Sequence, residues 1–333
     1  MKIIIPMAGV GKRMRPHTLT IPKPLIPVAG KPIVQHLVES LVKSYNELPE
    51  EIAFITGQFG KEAECKLIDI CRNMGIKGSI YYQNEALGTA HAILCAAESL
   101  TGNVIVAFAD TLFKADFTID SQKDSIIWVH KVEDPSAFGV VLTDNNGRIT
   151  RFAEKPKDFI SDEAIIGIYY FRDGDNLKKE LQYLIDNDVK KSGEYQLTDA
   201  LENMMHKNVA FYSEQVEEWL DCGNKDATVY TNQRMLEILK DTPLVADSAV
   251  ISNSIIKPPC YIGENVNISD SVIGPHVSIG KNTGIQNSII TNSIIQEDSN
   301  LNDANLDNSM VGSFVDFKGK LNELSIGDYT CFK

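Results

Sequence analysis

Apolar and polar residues follow one another in two distinct ways along this chain, and the change falls near residue 240. Before it, short β-rich runs at Ile3–Ile5, Ile52–Thr56, Ser79–Tyr82 and Val104–Ala109 each end in turn-forming residues. Between them, Ile33–Tyr45, Lys61–Met74 and Thr89–Leu100 carry apolar residues at helical spacing. Such alternation predicts an α/β domain, a mostly parallel sheet with helices on its faces, over residues 1–240. Further strands are predicted at Ser125–Lys131, Gly139–Thr143 and Ala164–Phe171, and helices at Asn176–Asn187, Leu197–His206 and Asp226–Leu239.

From Leu244 onward, aliphatic residues recur at steps of six or five: Val250, Ile256, Ile262, Ile268, Ile273, Ile279, Ile285, Ile290, Ile295, Leu301, Leu306 and Val311. Small, Asn, Asp and Gly residues fill the intervals. That period is too short for helical repeats and too long for strand alternation, and it predicts a β-solenoid in which every hexad turns one side chain inward. Stacked coils bury the core that a single coil cannot, so these anchors make a second domain of about four turns over residues 244–330. The pattern resembles the left-handed parallel β-helix of hexapeptide-repeat proteins.

Composition adds limits. The 333 residues are 43% hydrophobic and 23% charged, as in ordinary globular chains, and no apolar run approaches the length of a membrane span. Lys2-Ile3-Ile4-Ile5-Pro6 is wrongly flanked for a signal peptide and suits an opening buried strand. Six scattered cysteines (65, 71, 95, 222, 260 and 331) form no zinc-like spacing and fit reduced thiols, hence a cytoplasmic location. A formal net charge of −13 argues against a nucleic-acid partner, and a membrane partner is not expected either. The flat flanks of a solenoid favour self-association, so a homo-oligomer is expected.

Against that acidic background the chain opens on cations alone. Lys2, Lys12, Arg13, Arg15, Lys23 and Lys31 all precede the first acidic residue, Glu39. Directly after the first strand comes Gly9-Val10-Gly11-Lys12-Arg13, whose glycines let backbone approach a ligand and whose cations suit polyphosphate. The dinucleotide fingerprint fails because Met14 replaces its third glycine. The Walker motif fails because Arg13 follows Gly11-Lys12. What remains is G-x-G-x-R-x-x-P-x-T followed by Pro22-Lys23-Pro24.

This arrangement resembles the signature of the sugar-1-phosphate nucleotidyltransferases, the nucleoside-diphosphate-sugar pyrophosphorylases, and the resemblance covers residues 1 to about 240. It implies a Rossmann-like nucleotidyltransferase fold and a role for each matching residue. Gly9 and Gly11 would line the nucleotide, Arg13 would neutralise the triphosphate, and Lys23 would reach the phosphates about the reacting phosphorus. Gln83, Gly88 and Thr89 in "QNEALGTAHAI" would contact a pyrimidine base, the carboxamide both donating and accepting. Asp110, closing "NVIVAFAD", and Asp221, in "WLDCG", would hold Mg²⁺ as hard oxygen ligands. Gly139 in "FGVV", Glu154 and Lys155 in "FAEKP", and Gly167 in "IIGIYYF" would bind the sugar phosphate, with Lys155 counted among the catalytic cations. Lys12 and Arg15 are read as solvent-facing.

The implied reaction is Mg²⁺-dependent transfer of a nucleotidyl group from dTTP or UTP to a sugar 1-phosphate, foremost glucose 1-phosphate, releasing pyrophosphate. "GEYQLTD" (Gly193–Asp199) and "LGTAHA" lean instead toward N-acetylglucosamine-1-phosphate uridylyltransferases, and Lys191 stands near where thymidylyltransferases carry arginine. A mannose-1-phosphate guanylyltransferase is a further alternative. Two readings of other classes stay open: an acyltransferase in the β-helix using His276, and a non-catalytic sugar-nucleotide sensor.

Overall fold

The computed structural model describes residues 1–45, 47–115, 119–156, 158–191 and 193–319. The last residues of the expected second domain, with Cys331, and Ser192 lie outside them. The chain divides into two compact units: Met1–Ile26 with Lys31–Asn224, and Pro27–Gly30 with the described residues from Lys225 onward.

In chain order, the strands through the first unit and its inserted segment are β1 (Lys2–Pro6), β2 (Pro27–Val28), β3 (Lys31–Pro32), β4 (Glu51–Thr56), β5 (Lys77–Tyr82), β6 (Val104–Ala107), β7 (Thr111–Lys114), β8 (Ser125–Lys131), β9 (Gly139–Thr143), β10 (Ile149–Glu154), β11 (Glu163–Phe171), β12 (Phe211–Gln215) and β13 (Glu218–Asp221). The helices are α1 (Ile33–Lys43), α2 (Lys61–Asn73), α3 (Thr89–Leu94), α4 (Gly174–Asp186) and α5 (Leu197–His206). A nine-stranded sheet runs β10-β9-β11-β6-β1-β4-β5, with β8 and β12 branching from β11. Strands β6, β1, β4 and β5 are mutually parallel, as helical crossovers require. Strand β11 enters antiparallel between β6 and the β9–β10 hairpin.

The central strands are buried on both faces, so they read as continuous apolar runs: Ile3, Ile4 and Ile5 are fully buried, as are Val104, Ile105 and Val106. The α3–α5 layer contributes Ile93, Leu177, Leu181 and Leu201 to one core cluster with Ile4, Val106 and Phe171. Helix α4 starts where Asp173 Oδ1 accepts the Asn176 N–H at 2.9 Å. Helix α3 stops at Leu94, six residues short of the predicted end, and residues 95–99 continue as turns. Among the described residues no helix is long and apolar enough to cross a membrane, and Cys65, Cys71, Cys95, Cys222 and Cys260 form no disulfide.

The second unit holds α6 (Lys225–Leu239) and a left-handed parallel β-helix built from three sheets of five, four and four strands. Ile251, Ile268, Ile285, Leu301 and Phe317 stack along one sheet; Ile256, Ile273, Ile290 and Leu306 along the second; Ile262, Ile279, Ile295 and Val311 along the third. One predicted anchor is displaced: Val250 is 59% exposed, and its neighbour Ile251 pairs with Ile268. Coil corners fall on left-handed residues such as Asn253, Asp270, Asn287 and Asp303, the side-chain types that tolerate that conformation. Helix α6 groups with this unit although the sequence assigned it to the first. Its fully buried Asn232 accepts from Ala29 N–H at 2.9 Å and from Ser278 Oγ at 2.6 Å. His276 Nε2 lies 2.8 Å from Glu237 Oε1, a contact that joins helix to coil.

Candidate functional site

Beyond β1 the chain folds over its own first turn. Thr18 Oγ1 donates to Gly11 O at 2.9 Å, and the buried Met14 anchors the loop from beneath. Met14 thus does core work at the position where a dinucleotide fingerprint has glycine. Gly11 sits at φ +59°, and a Cβ there would lie 3.0 Å from Thr18 Cγ2 and 3.1 Å from Lys23 Cβ. Gly9 differs: a Cβ there would meet nothing within 4 Å, so its exposed backbone faces open space.

Lys23 follows on a short 3-10 turn, Lys23–Leu25, braced by Pro22 and Pro24. Only 9% of it is exposed, and its ammonium donates to Asp110 Oδ2 at 2.8 Å. A buried ammonium needs such a partner. Asp110 stands past the C-terminal end of β6, the edge at which open α/β sheets place ligands. Strand pairing brings the second aspartate to it. In the antiparallel β13–β7 ribbon Asp221 faces Thr111, and Cys222 N–H donates to Asp110 O at 3.0 Å.

The electrostatics show the same convergence. Burial and then the Asp110 charge hold the Asp221 carboxyl above its ordinary range, while Lys23, the Gly223 N–H and Arg13 oppose the shift. A Cβ on Gly223 would sit 2.7 Å from Asp221 Oδ2 and 3.3 Å from Arg13 Nη2, so this glycine admits both charges. Among the described residues no cluster of three or more His, Cys, Asp or Glu forms a metal cage. Two carboxylates alone are a donor set that fits Mg²⁺ when phosphate oxygens and water supply its other ligands.

These groups open onto a cavity of about 450 Å³ lined by Gly9, Gly11, Lys12, Arg13, Lys23, Gln83, Gly88, Thr89, Asp110 and Gly223. Lys12 is solvent-exposed, as expected, and also borders the cavity. Gly88, at φ +110°, has no room for a Cβ, which would lie 2.4 Å from Tyr195 O. Tyr195 N–H in turn donates to Leu87 O, and Ala90 N–H to Tyr195 O. The "LGTAHA" and "GEYQLTD" segments are thereby one structural piece. Thr89 joins them too, since its hydroxyl accepts Leu197 N–H at 2.9 Å. The carboxamide nitrogen of Gln83 is 3.2 Å from Gly88 O and 3.1 Å from His91 Nδ1.

The expected sugar-phosphate residues Gly139, Glu154, Lys155 and Gly167 are not among those that line this cavity. Gly139 pairs with Glu154 across the β9–β10 hairpin, and a Cβ on Gly139 would approach Glu154 Oε2 to 3.1 Å. Burial raises the Glu154 carboxyl above its ordinary range; Lys155 and Lys191 lower it and Asp199 raises it further. Lys155 takes the left-handed conformation (φ +44°), with Nζ 3.8 Å from Glu154 Oε1. Phe138 meets Trp219 edge-on with ring centroids 4.8 Å apart, which joins the "FGVV" and "WLDCG" motifs. The Gly167 carbonyl accepts Phe108 N–H at 2.9 Å, and the space of its missing side chain borders Phe108 and Thr111.

Sequence reasoning assigned no role to Asp199 or Thr198. Asp199 Oδ2 and Thr198 Oγ1 are buried without a hydrogen-bond partner, and burial raises the Asp199 carboxyl while Lys191 opposes it. Their signal was the "TD" that ends "GEYQLTD".

Residues 2–238 match the nucleotidyl transferase family, and residues 239–310 match the GlmU-like C-terminal hexapeptide family. The low-salt glycan biosynthesis nucleotidyltransferase Agl11 of Haloferax volcanii is 30% identical over 265 residues, 77% of this chain and 72% of that protein. The mannose-1-phosphate guanylyltransferase catalytic subunit beta of Danio rerio is 36% identical over 184 residues, 51% of this chain and 49% of that protein, so the match spans about half of each. A solved UDP-glucose pyrophosphorylase complexed with UDP-glucose superposes with a TM-score of 0.58 at 25% identity, covering 71% of this chain and 98% of that one. With a family match over most of its length and a site of paired cations and carboxylates at the sheet's ligand edge, this chain belongs to the nucleotidyl transferase family.

Proposed function

We propose that the protein transfers a nucleotidyl group from a pyrimidine nucleoside triphosphate, dTTP or UTP, to glucose 1-phosphate. An oxygen of the sugar phosphate forms a bond to the α-phosphorus while the bridging α–β bond breaks, and pyrophosphate leaves with the electron pair. The observation that carries this reading is that Arg13, Lys23 and Asp110 line a single cavity and that the charge of Asp221 interacts with all three. Their charges suit a polyphosphate with its cation, and none of them is a nucleophile. A phosphate monoester is itself nucleophilic, so positioning and charge neutralisation are sufficient catalysis.

Arg13 and Lys23 neutralise the phosphates, and Arg13 presents a planar fork where Lys23 offers a point charge. Gly9 and Gly11 let backbone approach, and Gln83, Gly88 and Thr89 border the base. Glu154 accepts from sugar hydroxyls and Lys155 meets the sugar phosphate, with Gly139 leaving space between strands. Asp110 and Asp221 would hold Mg²⁺, which supplies charge stabilisation to the departing pyrophosphate. The structural likeness to UDP-glucose pyrophosphorylase supports the choice of glucose and a pyrimidine.

A second reading, GTP with mannose 1-phosphate, is favoured by the 36% identity to the guanylyltransferase subunit. Acyl transfer in the β-helix would have to use His276 Nδ1, since Nε2 is engaged with Glu237. The test is a matrix of dTTP, UTP, GTP, CTP and ATP against glucose, mannose, galactose and N-acetylglucosamine 1-phosphates with Mg²⁺, scored by the nucleotide sugar formed. Product from dTTP or UTP with glucose 1-phosphate upholds the reading; product only from another pair replaces it.

A further inference from the structure

Gln83 extends the sheet beyond β5 through its N–H to Thr56 O at 2.9 Å, so its backbone is fixed. Its side chain is fixed as well. The atom 3.2 Å from Gly88 O must be the amide nitrogen, because a carbonyl only accepts. Gly88 cannot retreat: it stands at φ +110° against the Tyr195 backbone. The same amide nitrogen is 3.1 Å from His91 Nδ1, which therefore accepts, with the imidazole proton on Nε2. An amide nitrogen carries two hydrogens, and both are engaged. The carboxamide oxygen accepts no hydrogen bond among the described residues, and Gln83 lines the cavity.

In this state Gln83 offers the cavity an acceptor alone, where the sequence suggests a donor as well. An acceptor calls for a ring N–H, which uracil and thymine carry at N3 and guanine at N1. Cytosine N3 and adenine N1 present a lone pair there, which an oxygen repels. We propose that His91 is a positioning residue for base selection: by accepting from Gln83 Nε2 it holds Oε1 toward the nucleotide, so the site takes bases with a ring N–H and rejects cytosine and adenine. The inference rests on the nucleotidyl-transfer reading of the cavity. It adds a residue from α3 that touches neither phosphate nor sugar.

The test is equilibrium binding of UTP, GTP, CTP and ATP by calorimetry with Mg²⁺ and no sugar phosphate, so that turnover plays no part. Wild type should favour UTP or GTP over CTP. His91→Leu, which leaves Gly88 O as the single acceptor holding the carboxamide, should narrow that ratio about tenfold, the scale of one hydrogen bond, chiefly by gaining CTP. His91→Asn, whose side-chain oxygen can stand where Nδ1 stood, should keep it. Gln83→Leu, a variant that does not depend on the histidine, should lose the preference. An unchanged ratio in His91→Leu, a preference retained by Gln83→Leu, or a ratio lost equally in His91→Asn overturns the proposal. If wild type binds triphosphates with no base preference, only this inference falls; if it binds none, nucleotidyl transfer falls with it.

Discussion

The Lys23 ammonium stands 2.8 Å from Asp110 Oδ2, an ion pair between residues 87 positions apart in the chain. In this state the cation assigned to phosphate neutralises the carboxylate assigned to metal. Bound triphosphate and metal would each draw one partner away, so the two ligands should bind better together than singly. Lys23→Met removes the competing charge. Two charges about 4 Å apart interact by roughly 1–4 kcal/mol in a partly exposed site. Mn²⁺ alone, followed by electron paramagnetic resonance, should bind about tenfold tighter to the variant. Nucleotide transfer should fall by a factor on the order of 10². Equal Mn²⁺ affinity in the two proteins would show that the pair does not guard the metal position.

Glu154 gives a test in pH. Burial raises its carboxyl above the ordinary 4.5, with Asp199 adding to the shift and Lys155 and Lys191 opposing it. A raised folded-state value means that Glu154 favours folding when protonated, and that this contribution disappears as pH rises through the folded-state value. Glu154→Gln, neutral throughout, should therefore be more stable than wild type at pH 7, and the advantage should vanish on acidification below the ordinary carboxylate range. Urea unfolding of both proteins across that window reads the difference. Transfer to the sugar phosphate should be impaired in the variant at neutral pH, despite its greater stability.

The coil register predicts opposite outcomes for two isoleucines in the same sheet. Ile273 is fully buried and stacks between Ile256 and Ile290, whereas Ile289, one position before Ile290, is 53% exposed. Ile273→Ala should cost the β-helix about 2–5 kcal/mol, and Ile289→Ala less than about 0.5 kcal/mol. Thermal unfolding of each variant checks the pair, and a register one residue out would reverse the order.

Legibility in the sequence followed the physical cause of each feature. Strands β8 and β9 and helix α5 have the predicted limits because apolar residues mark each at strand or helical spacing. Strands β7, β12 and β13 were not read as strands. "FYSEQ" and "EWLD" mix charges into short runs, and β13 finds its partner β7 about 100 residues earlier in the chain. Val250 and Ile251 are both aliphatic, so only pairing with Ile268 could decide which points inward. The convergence of Arg13 and Lys23 with Asp110 and Asp221 was legible because dense motifs mark all four. The loss of Gln83's donors was not, since it depends on where Gly88 and His91 place their acceptors. Asp199 lies within "GEYQLTD", and nothing in its spacing reveals a buried, unpartnered oxygen.

Pyrophosphate release from UTP, measured with and without glucose 1-phosphate and Mg²⁺, for wild type and Asp110→Asn, tests most directly whether the cation–carboxylate cluster performs nucleotidyl transfer. The account predicts release only when all three components are present, and a fall of at least about a hundredfold in the variant. Release that ignores the sugar phosphate, or an Asp110→Asn protein as fast as wild type, would contradict it.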